Sequence, residues 1–169
     1  MAEVRAYAEP DAERPQVVLV SAMRNEGPFL LEWVAYHRVI GIDRIVVVSN
    51  GSSDGMDALL EALAKAGEVT FLRTNPGWGV APQEAAVQAF EAEVGYREGV
   101  WHLWLDADEF LNVHVGDRTV QALISAVGPA QAMMLNWRMF GSNGNDSFPG
   151  RHVSEAFIGA SKLGFVANL

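Results

Sequence analysis

Trp101-His-Leu-Trp-Leu-Asp-Ala-Asp-Glu-Phe110 runs an apolar stretch straight into three carboxylates, Asp106, Asp108 and Glu109. Residues 100–105 have the continuous apolar character of a buried strand. Carboxylates at the end of such a strand are costly to bury unless something pairs with them. A divalent cation, held through oxygen ligands and substrate phosphates, is a partner of the right kind. Asp106-x-Asp108 therefore reads as a metal–diphosphate site. On a fully extended chain the two side chains would point to opposite sides. Both can face one cation only if the strand ends near Asp106 and the chain turns. The alternative is a strand entering an ordinary polar turn.

Working outward, the spacing predicts a chain of alternating strands and helices. The β-branched run at 16–22 reads as a strand, broken by Arg24-Asn25-Glu26-Gly27-Pro28. Proline is well tolerated in a first helical turn, so a helix is predicted from there to about Ile40, stopped by Gly41. A second strand covers 44–49 and ends in the polar loop Asn50-Gly51-Ser52-Ser53-Asp54-Gly55. A helix over 56–66 follows, with Gly67 as its stop, then a third strand over 69–73. The loop 75–82 carries Trp78 between two glycines, as a ligand cover or as a buried anchor. A helix over 83–96 leads to the acidic strand. Beyond it the pattern predicts a helix at about 119–127, a strand over 132–138 and a glycine- and asparagine-rich loop over 141–150. Such alternation implies right-handed crossovers and a mainly parallel sheet covered on both faces. Ligands in such sheets sit beyond the carboxyl ends of the strands. The clusters 24–26, 50–54 and 106–109 all fall there.

Composition sets the bounds. The 169 residues suit one domain, with a loosely packed arm over 1–15 and a ligand-binding domain over 16–169. A net charge of −9 argues against a general nucleic-acid binder. It leaves room for a nucleotide whose charge a metal offsets locally. Without cysteine there is neither a disulfide framework nor a thiolate zinc site. No apolar run reaches the roughly 18 residues that span a bilayer, and the N-terminus lacks a signal peptide's apolar core. The expected location is the cytoplasm or the inner face of a membrane.

Short motifs in fixed order then add a resemblance. They are Met23-Arg24-Asn25-Glu26, Glu32-Trp33 with Tyr36-His37, Gly41-Ile42-Asp43, residues 49–55, Trp104-Leu105-Asp106-Ala107-Asp108-Glu109-Phe110, and Asn136-Trp137-Arg138-Met139-Phe140-Gly141. Over about residues 16–145 the chain resembles the inverting glycosyltransferases of family 2, especially their bacterial branch near family 92. The resemblance implies the GT-A fold, a Rossmann-like α/β sheet binding a nucleoside-diphosphate sugar, with a UDP-sugar the expected donor. It implies donor contacts from Arg24, Asn25, Glu26, Asn50, Ser52, Asp54, Gln83 and Asp106. It also implies Mg²⁺ or Mn²⁺ on Asp106 and Asp108, with Asp108 the direct ligand and Asp106 on ribose or on the metal through water. Asn50 stands where many relatives have aspartate, and Gln83 where they often have a basic residue. Asp54 can instead cap the following helix, and Glu26 can be a carboxylate favoured by a helix N-terminus.

The family's general base is a carboxylate on the acceptor side; Asp146 and Glu155 are the candidates. Trp137 and Arg138 lie in the same region, facing a saccharide or other hydroxyl acceptor. His37 is expected to pack rather than react, on a helix behind the sheet. His114 is a weaker metal candidate, and His102 weaker still. Because relatives continue well past residue 169, the acceptor region is expected to be incomplete and transfer by this chain slow. Two rival functions stay open. Nucleotidyl transfer calls for a glycine-rich phosphate loop, which is absent from the sequence. A non-catalytic nucleotide-binding module would bind without turnover.

Overall fold

The computed structural model describes residues 14–162; of the expected N-terminal arm, residues 1–13 lie outside that range. The described chain divides into two compact units at Ala126/Val127. The first contains the sheet. Strands β1 (Gln16–Met23), β2 (Arg44–Ser49), β3 (Thr70–Arg73) and β4 (Val100–Trp104) lie in the order β3-β2-β1-β4, every neighbouring pair parallel. Helices α1 (Gly27–Val39), α2 (Met56–Ala66), α3 (Pro82–Glu93) and α4 (Val120–Val127) alternate with them or follow them. The α/β class and the four strands anticipated within the first 105 residues are therefore present.

Alternating side chains of each strand enter two cores. Val17, Leu19, Met23, Ile45 and Val47 pack with Leu30, Trp33 and Leu60 from α1 and α2. Val18, Val20, Val46 and Val48 pack with Ala86 and Phe90 of α3 on the opposite face. Burial on both faces explains why β1 and β2 read as unbroken apolar runs rather than as alternating ones.

Local signals set the helix ends. Pro28 occupies the first turn of α1. Gly41 and Gly67 take left-handed backbone after α1 and α2, with φ of +93° and +82°, where glycine carries no Cβ penalty. A Cβ on Gly41 would stand 2.5 Å from the Gln121 carboxamide oxygen. Gln121 in turn donates to the Gly41 carbonyl, tying α4 to the α1–β2 turn. The Asp43 carboxylate accepts the Val17 amide at 2.9 Å and pairs with Arg14 at 2.8 Å. Gly41-Ile42-Asp43 is thus a structural turn.

In the second unit the predicted strand over 132–138 does not form. Among the described residues the pairing there is a single antiparallel bridge, Phe140 with Ala160. Met134 and Trp137 keep 91% and 68% of their surface exposed. An apolar run becomes a strand only when a neighbouring strand takes its amides and carbonyls, and none runs alongside it among the described residues. A short helix α5 (Val153–Ala156) follows, its Ala156 carbonyl accepting from the side chains of Asn143 and Asn145. No helix of the described residues is long and apolar enough to cross a membrane.

Candidate functional site

The sheet order places a topological switch beside β1. The chain steps from β1 to β2 and β3 on one side, then returns to β4 on the other. A crevice opens at the carboxyl ends of strands at such a point. There a cavity of about 500 Å³ is lined by Ala22, Met23, Arg24, Glu26, Phe29, Asn50, Pro82, Gln83, Asp106, Ala107 and Asp108.

The acidic motif resolves its own geometric problem by turning. β4 ends at Trp104, and the Glu109 amide donates back to the Asp106 carbonyl at 3.1 Å. The Asp106 amide donates to the Glu109 carboxylate at 2.9 Å. Glu109 therefore closes the turn. Ala107 points inward and is buried, while Asp106 and Asp108 are both exposed on the cavity wall.

Helix α1 holds this turn from behind. The indole N–H of the fully buried Trp33 donates to the carbonyls of both Asp106 and Glu109, at 3.1 and 3.0 Å. The Tyr36 hydroxyl donates to the Leu111 carbonyl at 3.0 Å. His37 Nδ1 lies 2.8 Å from the Trp33 carbonyl, and the Leu111 amide donates toward its Nε2 at 3.5 Å. One ring nitrogen thus faces an acceptor and the other a donor, which is the pattern of a neutral imidazole. Burial accordingly pushes the His37 pKa down to about 4. Sequence reasoning gave this helix a packing role and missed the contacts. The available signal was Trp33, Tyr36 and His37 on one face, because buried aromatics with polar tips need partners.

Two further loops are clamped to each other. The Asn25 carboxamide oxygen accepts the Ser53 amide at 2.7 Å, and the Asn25 amide donates to the Ser52 hydroxyl at 3.1 Å. Asp54 accepts the Gly27 amide at 2.8 Å and the Met56 amide at 3.0 Å. These amides, Met56 first, hold its carboxyl below the usual range. Gly27 is needed for this approach, since a Cβ there would lie 2.9 Å from an Asp54 oxygen. Asn25, Ser52 and Asp54 therefore fasten the β1 and β2 loops and do not line the cavity.

Asn25 also takes left-handed backbone, φ 60°, which asparagine tolerates better than most residues. Replacing it with glycine should lose only the side-chain bonds. Asn25→Ala should lose the same bonds and add roughly 1–2 kcal/mol of backbone strain. Thermal unfolding should rank wild type above Asn25→Gly above Asn25→Ala; equal midpoints for the two variants would contradict this.

Of the residues expected to contact a donor, Arg24, Glu26, Asn50, Gln83 and Asp106 come together on the cavity wall, with Asp108 beside them. The lining sets one arginine against three carboxylates. Glu26 shows the resulting field. Its pKa is raised, first by burial and then by Asp108, Asp54 and Asp106. It occupies the α1 N-cap without a side-chain cap bond. The Thr74 hydroxyl donates to the Asn50 carboxamide oxygen. Phe29 and Pro82 form apolar walls that the sequence did not single out. Trp78 is fully exposed, at 105%, so it is no buried anchor. His114 is exposed and off the cavity, and His102 packs against the rings of Phe90 and Tyr96. Among the described residues no three histidine, aspartate or glutamate side chains gather into a group able to hold a metal.

The remaining candidates belong to the second unit. Asp146 and Glu155 are exposed, Glu155 in the first turn of α5. Trp137 and Arg138 are exposed on the irregular segment that precedes Phe140.

Comparison with known proteins supplies the family. The glycosyltransferase family 92 model matches residues 14–159. A glycosyltransferase family 92 protein of Ricinus communis is 34% identical over 108 residues, covering 62% of this chain and 18% of that protein. One from Oryza sativa subsp. japonica is 27% identical over 138 residues, covering 80% of this chain and 23% of its own length. The chain thus spans less than a quarter of the length of these curated relatives. Among solved structures, the crystal structure of S. aureus TarS aligns with a TM-score of 0.43 at 17% identity, covering 57% of this chain and 17% of that one. With its family model matched from Arg14 to Gly159, the chain belongs to glycosyltransferase family 92.

Proposed function

We propose that this chain carries the donor site of a glycosyltransferase that moves a sugar from a nucleoside-diphosphate sugar, a UDP-sugar first among them, to an acceptor hydroxyl. The proposal includes inversion at the anomeric carbon, Mg²⁺ or Mn²⁺ as cofactor, and the kinship with family 2 suggested by the motifs. The observation that carries it is that Asp106 and Asp108 line the same switch-point cavity as Arg24, Asn50 and Gln83.

The donor set fits a hard cation. It offers carboxylate oxygens, and no histidine or cysteine lines the cavity. Magnesium-type sites use one or two carboxylates plus substrate phosphates rather than an all-protein cage. That matches a wall with two aspartates and no complete protein cluster among the described residues. When bound, the cation would neutralise charge on the leaving diphosphate. The chain's own groups do the rest. Asp108 would anchor the cation, and Asp106 would contact ribose or reach the cation through water. Arg24 offsets phosphate charge, and the Asn50 and Gln83 carboxamides supply polar contacts to the nucleotide. Asp146 or Glu155 is the carboxylate proposed to take the acceptor proton. Trp137 and Arg138 are proposed contacts of a saccharide or other hydroxyl acceptor.

Calorimetry with UDP tests this, in MnCl₂ and again in EDTA. Binding is expected only with the cation, together with nucleotide release from a UDP-sugar panel. Equal affinity in EDTA would overturn the metal assignment. Tight binding without any turnover would leave a binding module instead.

A further inference from the structure

The turn carrying Asp106 and Asp108 holds like charges close together. Glu26 lines the same cavity. Before a cation arrives, mutual repulsion favours spreading these groups. The turn therefore needs a restraint that does not use the carboxylates of Asp106 and Asp108. Glu109 supplies one, through the Asp106 amide. The other comes from α1, more than seventy residues away in sequence. An indole has a single N–H donor. In Trp33 that one donor lies 3.1 Å from the Asp106 carbonyl and 3.0 Å from the Glu109 carbonyl. These are the first and last carbonyls of the same four-residue turn. A buried tryptophan is satisfied by one acceptor, and here it spans both ends of the acidic motif.

We propose that Trp33 is a positioning residue for the cation, its indole N–H bridging the Asp106 and Glu109 carbonyls so that both aspartates face the cavity in advance. The inference rests on the donor-site reading given above. It predicts a particular division of effects. The Asp106 carbonyl also accepts the Glu109 amide at 3.1 Å, so it keeps a donor when the indole N–H is removed. The loss of stability is then modest. The loss of restraint falls on cation binding, because the ligand geometry must be assembled at the moment of binding. Selectivity should suffer as well, since discrimination among divalent ions depends on site size and rigidity.

The test uses the full chain with UDP and MnCl₂ as probes. Trp33→Phe keeps an aromatic ring and removes the N–H. A second variant places 3-benzothienylalanine at position 33, which keeps the indole shape with sulfur in place of N–H. It guards against unfolding caused by the smaller phenylalanine. Near-UV circular dichroism and thermal unfolding establish the fold. Mn²⁺ affinity at saturating UDP is read by electron paramagnetic resonance, and Ca²⁺ affinity by competition. Mn²⁺ affinity is expected to fall about fivefold to tenfold, the worth of one lost hydrogen bond. The preference for Mn²⁺ over Ca²⁺ should narrow, with the fold retained. Folded variants that keep wild-type Mn²⁺ affinity and selectivity would overturn the proposal. Asp108→Ala runs alongside as the control. If it loses Mn²⁺ binding while the position-33 variants keep it, only the role of Trp33 fails. If it also binds Mn²⁺ like wild type, the donor-site reading fails and the proposal with it.

Discussion

Asp108→Ala is expected to remove most of the cation dependence of nucleotide binding, on the order of a hundredfold or more in Mn²⁺-supported UDP affinity. Losing an outer-shell partner of a metal typically costs roughly 10–100-fold in affinity, and a directly coordinating carboxylate should cost more. The substitution is clean in structural terms. The Asp108 side chain is exposed on the cavity wall. The turn around it is closed by Glu109 and held by Trp33, none of whose bonds use the Asp108 carboxylate. Alanine should therefore leave the thermal midpoint close to wild type. Asp106→Ala should cost less, if that side chain meets ribose or a metal-bound water rather than the metal itself. Calorimetry of the three proteins in MnCl₂ and in EDTA checks the ranking. Unchanged Mn²⁺ dependence in Asp108→Ala would remove the motif from the metal site.

A second large effect concerns acid. His37 is fully buried and its pKa is lowered to about 4 from the usual 6.5, chiefly by burial. The unfolded chain therefore binds this proton more readily than the folded one. The stability that follows is fully present above about pH 6.5 and is lost as pH falls toward about 4. The depression corresponds to about 3 kcal/mol. Structure supplies the reason for the penalty. A protonated His37 would present an N–H to the Leu111 amide, which now donates to Nε2. The link between α1 and the segment after the acidic turn would break. His102, also depressed by burial, adds slope of the same sign, whereas the raised Glu26 opposes it. The His37 share is therefore read as a difference. Urea unfolding of His37→Gln should show a flatter loss of stability between pH 6.5 and 4 than wild type. Parallel curves for the two proteins would contradict the assignment.

How much of this was legible in the sequence follows from how local each cause is. β1 and β2 were readable because burial on both faces of a parallel sheet leaves an unbroken β-branched run. The cavity's location was readable too. Polar clusters at 24–26, 50–54 and 106–109 each follow a strand, and parallel strands bring such loops to one edge. The turn at Asp106–Glu109 followed from the alternation of side chains on an extended chain.

What failed to show depended on partners distant in sequence. Asn25 looks like a ligand-facing polar residue, and Asp54 like either a ligand contact or a cap of the helix that follows it. Only the fold reveals that they satisfy each other's loops across 27 or 28 residues. Trp33, Tyr36 and His37 look like a packing face until the backbone of 106–111 is laid against it. The apolar stretch over 132–138 misled for the converse reason: its composition suits a strand, but a ladder needs a second strand.

The central claim, that Asp106 and Asp108 hold a cation against a nucleotide diphosphate, is tested most directly by anomalous diffraction from crystals grown with UDP and Mn²⁺. One manganese peak is expected in the cavity beside β1 and β4, at coordination distance from an Asp108 carboxylate oxygen and from diphosphate oxygens. Well-ordered UDP bound away from this cavity, or seated in it with no manganese at Asp108, would contradict the account.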